Sequence, residues 1–179
     1  MKLTLKDVRI SFPHLFEVNE KSSKFDATFI FSKDSAVKAQ LEEAIEKAGS
    51  EKWGAKWGST KKGLAASNKL VIHDGDVKAD KYAGYEGNLY FNASNKVRPA
   101  VKDRQLNNIA ESDGVIYAGC RVNAVVDVYA LENAFGKFVS ASLLGVQFVG
   151  HAEAFTSSSK AVDSDFEELT DGADAEDLV

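Results

Sequence analysis

The sequence predicts a mainly β fold with helical insertions, on three observations. Residues 25–32 alternate apolar side chains with others at a period of two, which is typical of a strand with one buried face. A segment with helical spacing follows, and two long strand candidates joined by a turn-rich segment lie near the end of the chain. This order favours an OB-fold-like barrel of about five or more strands with one or two inserted helices, although the periodicity also fits a sandwich.

The first two strands are predicted at residues 2–12 and 25–32. Pro13 and the polar stretch 19–24 indicate a turn or loop between them. The two strands are therefore expected to be neighbours along the chain, before any helix.

One amphipathic helix is predicted after Ser32. Ser32 or Asp34 is the expected N-cap and Gly49 the expected end. Its apolar residues recur at helical spacing, at Val37, Leu41, Ile45 and Ala48. The segment 49–68 that follows is rich in Gly, Lys and Ser and is expected to have little regular structure.

The rest of the chain is predicted to consist mostly of strands, at residues 70–73, 88–93, 115–131 and 137–151. A polar loop that contains Tyr82 and Tyr85 separates the first two of these. A turn at 132–136 joins the last two, so a β-hairpin is expected there.

Length and composition indicate one globular domain. The chain has 179 residues, 44% of them hydrophobic and 27% charged, and one cysteine, Cys120. Cys120 cannot form an internal disulfide and is expected to be a small buried residue, and three scattered histidines give no zinc-ligand spacing. No apolar run is long enough to span a membrane and the N-terminus does not resemble a signal peptide, so a cytoplasmic protein without a membrane partner is expected.

The charge is divided unevenly between a basic domain and an acidic tail. Residues 1–155 are the predicted domain, and residues 156–179 a polar linker and tail. Residues 161–179 carry −8, against +3 for residues 1–160, and their acids are Asp163, Asp165, Glu167, Glu168, Asp171, Asp174, Glu176 and Asp177. Apolar side chains lie among them, at Phe166, Leu169, Leu178 and Val179. Such a tail is expected to contact something positive, either the domain itself or a partner protein.

No constellation typical of an enzyme is visible. There is no Gly-x-Ser-x-Gly motif, the three histidines (His14, His73 and His151) lie far apart, and no Walker A or dinucleotide motif is present. An EF-hand counted from Asp74 fails at its sixth and twelfth positions. Asp74, Asp76 and Asp103 could still assemble a two-metal nuclease site, which is kept as the alternative enzymatic hypothesis; no cofactor is predicted.

The remaining signal is that basic and aromatic residues are interleaved along the chain. Proteins that bind single-stranded nucleic acids need both kinds of residue. Lysines and arginines neutralise phosphates, while flat rings stack on unpaired bases. The predicted nucleic-acid-binding residues are Trp53, Trp57, Lys61, Lys62, Lys81, Tyr82, Tyr85, Tyr90, Lys96, Arg98, Lys102 and Arg104.

Each aromatic residue in this set has an alternative structural role. Trp53 and Trp57 have the i, i+4 spacing of a helix face packed on the core. Tyr90 and Phe91 point to opposite faces of a strand, so at most one of them can face a ligand. Tyr82 and Tyr85 lie in a polar loop, where binding is favoured over packing.

Several motifs together resemble a known family. They are Asp-Gly-Asp at 74–76, Tyr-x-Gly at 82–84, Ser-x-x-x-Arg-Pro at 94–99 and Gly-Val-Gln-Phe-Val at 145–149, followed by the acidic tail. In this order they resemble the phage-encoded single-stranded-DNA-binding proteins, long catalogued as a domain of unknown function.

The resemblance implies an OB barrel without catalysis that protects single-stranded DNA in replication or recombination in the bacterial host cytoplasm. The charge of the tail and its apolar residues predict that it competes with DNA for the binding groove and recruits replication or recombination proteins. Self-association is left open. Besides the nuclease hypothesis, a β-rich virion or assembly protein is a further alternative, with the acidic tail contacting a basic partner.

Overall fold

The computed structural model describes residues 1–155; the predicted linker and tail lie outside the described residues. Its strands and helices are, in chain order, β1 (Lys2–Asn19), β2 (Lys24–Ser32), α1 (Ala36–Trp53), α2 (Trp57–Ala66), β3 (His73–Asp74), β4 (Asn88–Asn95), β5 (Ala100–Lys102), β6 (Arg121–Asn133) and β7 (Gly136–Gly150). Short 3-10 turns cover Gly54–Lys56, Gly75–Lys78 and Glu111–Asp113.

Five strands close into a barrel. β1 pairs antiparallel with both β2 and β6, β2 pairs with β4, and β6 forms a hairpin with β7. A parallel pairing of β4 with β7, which opposes Ala93 to Ala141, closes the circle. β3 extends the sheet beside β4, and β5 follows β4 along the same edge of β7. The predicted OB-type barrel and its terminal hairpin are confirmed.

Alternation along the strands fills the barrel interior. Ala27, Phe29 and Phe31 of β2 point inward, and Phe29 stacks on Phe91 of β4 with ring centroids 5.1 Å apart. Helix α1 adds its buried face, including Leu41, to the same core. Each fully buried large apolar side chain stabilises the fold by about 1.5–3 kcal/mol, so the buried face of these strands favours closure of the barrel.

The helical region differs from the prediction at both ends. Ser35, rather than Ser32 or Asp34, caps α1, its side chain accepting a hydrogen bond from the amide of Val37. Gly49 does not end the helix: a Cβ atom there would lie 2.5 Å from the ring of Trp57. Gly49 lies inside α1, where the indole of Trp57 packs against its backbone. Residues 49–68, which were expected to have little regular structure, contain the end of α1 and all of α2.

Several strand predictions are also corrected. The strand predicted at 70–73 is only His73–Asp74, and β5 was not predicted. β1 continues to Asn19 through a bulge near Phe12, whereas the prediction ended it at residue 12. β6 begins at Arg121 and not at residue 115, because Gly119 has a φ of +105°, outside the extended region. Cys120 is fully buried, as predicted, and burial raises the pKa of its thiol. Within residues 1–155, no helix is both long and apolar enough to cross a membrane.

Candidate nucleic-acid interface

A groove runs over the outer faces of β2 and β4. Because Ala27 and Phe29 point inward, the alternate residues of β2 point outward, and those of β4 do the same. The groove has a volume of about 410 Å³. Its polar floor consists of Asp26 and Thr28 of β2 with Asn92 and Ser94 of β4. The Thr28 hydroxyl donates to Oδ1 of Asn92 at 2.7 Å, which ties the two strands together across the floor.

The β1–β2 hairpin fixes one end of the groove. Oδ1 of Asp26 lies 2.9 Å from Nδ1 of His14, and its Oδ2 accepts hydrogen bonds from the Ser22 hydroxyl at 2.8 Å and the Asn19 amide at 3.1 Å. These contacts hold the carboxylate in place. Lys24 lines the groove beside it and supplies a positive charge.

Phe12 lines the groove with an exposed ring, and the exposed ring of Tyr82 packs against it from outside the groove lining. Ser11 pairs with Thr28 and His14 with Asp26, so β1 has one residue more than β2 between these pairs. This bulge places Phe12 in the left-handed region, at φ +48°, with its side chain 44% exposed. Its ring packs edge-to-face on that of Tyr82, which is 42% exposed, with centroids 5.0 Å apart.

Tyr85 and Tyr90 do not reach the surface, and their predicted binding role is corrected. They form a buried cluster with Ile30, and Phe155 packs against its edge. Tyr85 is 0% exposed and Tyr90 is 5% exposed, and burial raises the pKa of both phenols. The outward face of β2 and β4 is apolar at Ile30 and Tyr90, so the loop carrying Tyr85 covers it. Tyr85 therefore supports the position of Tyr82.

The Tyr85 hydroxyl is buried beside the hydroxyls of Ser11 and Thr28. Within the described residues it has no hydrogen bond of normal geometry. The ammonium group of Lys78 lies 4.6 Å from the ring centroid of Tyr90, on the outer side of the cluster.

The two tryptophans stack on each other beside the core. Trp57 is buried and Trp53 half-buried, which favours the packing role over the predicted binding role. Their rings stack with centroids 5.7 Å apart, and Trp57 is 6% exposed. Each indole N–H donates to a carboxylate: Trp53 to Glu132 at 2.9 Å and Trp57 to Glu46 at 2.7 Å. The i, i+4 spacing thus reflects a packed face.

The two lysines predicted alongside the tryptophans lie on α2, not on β2 or β4. Lys61 forms an ion pair with Glu46, and that pairing lowers the pKa of the carboxyl. Lys62 is exposed. Neither lysine lines the groove.

The remaining predicted basic residues lie outside the groove lining, in the loop that carries Tyr82 and in the segments after β4. Lys81 adjoins Tyr82 in sequence and is exposed. Lys96 and Arg98 connect β4 to β5, with the guanidinium of Arg98 5.3 Å from the ring centroid of Phe16.

The last two predicted basic residues lie in and after β5 and already have partners. The Lys102 ammonium donates to Oδ1 of Asn108 at 2.7 Å, and the Arg104 guanidinium donates to the Val149 carbonyl at 2.9 Å. Because β4 and β5 share one edge of β7, these positive charges continue beyond the end of the groove floor.

The carboxylates of the nuclease hypothesis serve as turn-forming groups. Oδ1 of Asp74 accepts from the amide of Asp76, and Oδ1 of Asp76 accepts from the amide of Gly87. Asp103 accepts from Asn107 and a neighbouring amide, which lowers the pKa of its carboxyl. Among residues 1–155 no three His, Cys, Asp or Glu side chains form a group able to hold a metal ion.

Two exposed rings were missed from sequence. Phe12 lies in a predicted strand, and only the bulge before Pro13 turns its side chain outward. Phe135, in the turn between β6 and β7, is 85% exposed. Proline, which cannot donate to a strand ladder, was the available signal for the first, and an aromatic residue in a predicted tight turn for the second.

A closed OB-type barrel carries here a groove over its second and third barrel strands, lined by the exposed ring of Phe12 and by Lys24. This face and its adjoining loops bind oligonucleotides in that fold, so the arrangement is typical of a nucleic-acid-binding domain. A family model described as the Enterobacter phage Enc34 ssDNA-binding protein matches residues 1–179. The chain belongs to this family of phage single-stranded-DNA-binding proteins, as its motifs predict.

Individual relatives agree with this assignment. Protein p50 of Acyrthosiphon pisum secondary endosymbiont phage 1 is 39% identical over 180 residues, which cover 95% of each chain. The single-stranded DNA-binding protein from bacteriophage Enc34, solved in complex with ssDNA, is 27% identical, with a TM-score of 0.73 over 87% of this chain and 89% of that one. The gp2.5 single-stranded DNA binding protein of bacteriophage T7 shares the fold, at 12% identity and a TM-score of 0.57 over 98% of both chains.

The family also decides between the hypotheses on catalysis. Its members are single-stranded-DNA-binding proteins, which are not enzymes, so the prediction that the protein is not an enzyme is confirmed. The nuclease hypothesis is thereby set aside.

Proposed function

We propose that this protein binds single-stranded DNA without sequence specificity and protects it during phage DNA replication or recombination in the cytoplasm of the bacterial host. The observation that carries the proposal is the exposed Phe12–Tyr82 pair, of which Phe12 lines the groove over β2 and β4. Exposed rings at such a groove suit unpaired bases, which offer a face for stacking that duplex DNA hides.

The chemistry of the groove supports a lack of sequence specificity. Stacking tolerates every base because every base has a π face, and phosphate contacts carry no sequence information. Lys24 lines the groove, and Lys81, Lys96 and Arg98 are exposed in the segments that adjoin its strands. Asp26 on the floor repels phosphates, so the backbone is expected to follow these basic residues while the bases face the sheet.

The same groove is proposed as the site where the acidic tail competes with DNA. After β7 the chain returns across the barrel, and the guanidinium of Arg9 lies 4.2 Å from the ring centroid of Phe155. Phe155 packs against the cluster of Tyr85 and Tyr90, beneath the loop that carries Tyr82. The described chain therefore ends, at Phe155, next to the loop that carries Tyr82. Residues 161–179 carry −8, and on a short tether such a segment has a roughly millimolar effective concentration.

Displacement of the tail by DNA would free it for other proteins. We propose that replication or recombination proteins are its partners, gripping Phe166, Leu169, Leu178 and Val179 among the acids. An acidic stretch with interspersed apolar residues offers a partner both charge and buried area.

A titration of fluorescent oligothymidylate with the full chain at several salt concentrations tests the proposal. If four or five lysines and arginines neutralise phosphates, log K falls against log salt with a slope of roughly −3 to −3.5. A duplex of the same length is the control and should bind more weakly. Equal affinity for the two would contradict stacking, and no binding at low salt would contradict the function itself.

A further inference from the structure

The backbone at Phe12 adopts a conformation that a phenylalanine rarely takes. Its φ of +48° lies in the left-handed region, which mostly glycine, asparagine and aspartate occupy. The bulge that imposes it also moves the ring out of the alternation of β1, where Ile10 and Leu15 on either side are buried. The result is a large apolar ring 44% exposed at the groove, where burial alone would not place it.

We propose that Phe12 and Tyr82 together form a subsite for one unstacked nucleobase, and that the bulge at Phe12 positions its ring for this contact. The inference rests on the proposed single-strand binding and adds the residues that hold a base. Neighbouring elements fit this role: Tyr82 supplies the second ring at 5.0 Å, and the floor at Thr28 and Asn92 offers hydrogen-bonding groups for a base edge.

The two rings are held from opposite sides. Phe12 is fixed by the paired residues that flank it, Ser11 to Thr28 and His14 to Asp26. Tyr82 is fixed by its loop, since Tyr85 at the end of that loop is buried against Ile30. The subsite is thus preorganised in the free protein, which reduces the entropy that binding a base would otherwise cost.

Substitutions at Phe12 separate stacking from packing. Phe12→Leu keeps an apolar side chain against Tyr82 but removes the π face, whereas Phe12→Tyr keeps both. We expect the leucine variant to bind oligothymidylate about 5- to 150-fold more weakly, the range for loss of one stacked base, and the tyrosine variant to bind like the wild type. Tyr129→Ala, which removes a ring of similar exposure (38%) on β6, is the matched control and should leave affinity unchanged.

Affinity for an oligonucleotide of abasic residues is a second measurement. It would not distinguish the two proteins if Phe12 had only a structural role. If Phe12 stacks on a base, replacing bases by abasic sites weakens DNA binding by the wild type more than DNA binding by Phe12→Leu. Equal effects on the two proteins, or wild-type affinity in the leucine variant, would overturn the subsite while leaving single-strand binding intact. Absence of binding by the wild type would overturn the proposed function and the subsite together.

The backbone conformation is tested by comparing Phe12→Ala with Phe12→Gly. Both variants lose the ring, so both should bind weakly. In an ordinary strand, the glycine variant would usually be the less stable protein. At a positive φ we expect the glycine variant to melt at the higher temperature. A higher melting temperature for the alanine variant would contradict the left-handed bulge and with it the positioning of the ring.

Discussion

The ring of Phe12 lies edge-to-face on the ring of Tyr82, with centroids 5.0 Å apart, although one belongs to the first strand and the other to a loop after the helices. Such pairs of rings are worth about 0.5–1.5 kcal/mol beyond their buried area. Both rings nevertheless keep more than two fifths of their surface exposed. Their pairing therefore leaves aromatic surface free for a ligand.

Alanine substitution should separate the two loop tyrosines. Tyr82→Ala removes an exposed ring, and we expect DNA affinity to fall by about 1–3 kcal/mol with an unchanged salt slope and little loss of stability. Tyr85→Ala opens a cavity behind a fully buried ring and should cost about 3–5 kcal/mol of folding free energy. Denaturant unfolding and anisotropy titrations measure the two effects. A stable Tyr85→Ala protein that has lost only DNA binding would show that this ring, and not Tyr82, is the ligand contact.

Lysine substitutions should distinguish phosphate contacts from structural ion pairs. Lys81→Ala should reduce the magnitude of the salt slope by about 0.7 if Lys81 neutralises one phosphate. Lys61→Ala is the matched control, because Lys61 lies on α2 in an ion pair with Glu46. Titration of one labelled oligonucleotide across a salt series gives both slopes. If Lys61→Ala reduced the salt slope as much as Lys81→Ala, the DNA would contact the helices instead.

Local sequence patterns predict some of these features, whereas long-range packing decides others. The alternation in β2 and the turn between β6 and β7 are local signals, and both elements were predicted. Tyr82 and Tyr85 belong to the same loop, and only the packing of Tyr85 against Ile30 across the chain decides which ring is exposed. Residue type thus indicated the chemistry of the site but not the burial of its members.

The helices give a second example. Gly49 follows a helical run and is a natural end signal, yet the ring of Trp57 occupies the space a Cβ would need, so the helix continues through it. That contact joins two segments whose pairing no local pattern specifies. Phe12 was missed for the same reason, because a bulge depends on the register with the partner strand.

Gly119 is expected to be indispensable for the return of the chain after β7. Its φ is +105°, and a Cβ there would lie 2.4 Å from the carbonyl oxygen of Glu153. Gly114, at φ +62° with open space around it, is the matched control. Gly114→Ala should cost about 1 kcal/mol for the backbone alone, and Gly119→Ala clearly more, because backbone atoms must also shift. Thermal unfolding of both variants measures the difference; equal losses would mean that residues 151–155 do not pack on Gly119.

Stability should fall in alkaline solution because of the buried tyrosines. Burial raises the pKa of Tyr85 and Tyr90 above 10, so above pH 10 the unfolded chain loses protons that the folded chain retains. The stabilisation is present below pH 10 and is lost as pH rises. Tyr85→Phe should weaken this dependence. At neutral pH it should be at least as stable as the wild type, because within residues 1–155 the buried hydroxyl that it removes has no hydrogen bond of normal geometry.

Denaturant unfolding between neutral pH and pH 11 is the measurement. Tyr129→Phe, which changes an exposed ring, is the control and should follow the wild type. Marked destabilisation of Tyr85→Phe at neutral pH would show instead that the hydroxyl makes a stabilising hydrogen bond.

Removal of the acidic tail should tighten single-strand binding. Residues 161–179 carry −8 and residues 1–160 carry +3, and the described chain ends at Phe155 next to the loop that carries Tyr82. On the competition hypothesis, DNA must displace the tail before it occupies the groove. The gain should be largest at low salt, because the Debye length shrinks from about 30 Å at 0.01 M to about 10 Å at 0.1 M and screens the competing attraction. Oligonucleotide affinities of the full chain and of a chain ending at residue 160, each at low and high salt, measure the gain.

A full-length variant with all eight tail carboxylates changed to amides separates the effect of charge from that of bulk. It should match the truncated chain at both salt concentrations. Unchanged affinity in both variants would remove the competition and leave partner recruitment, tested by pull-down with the isolated tail, as its remaining role.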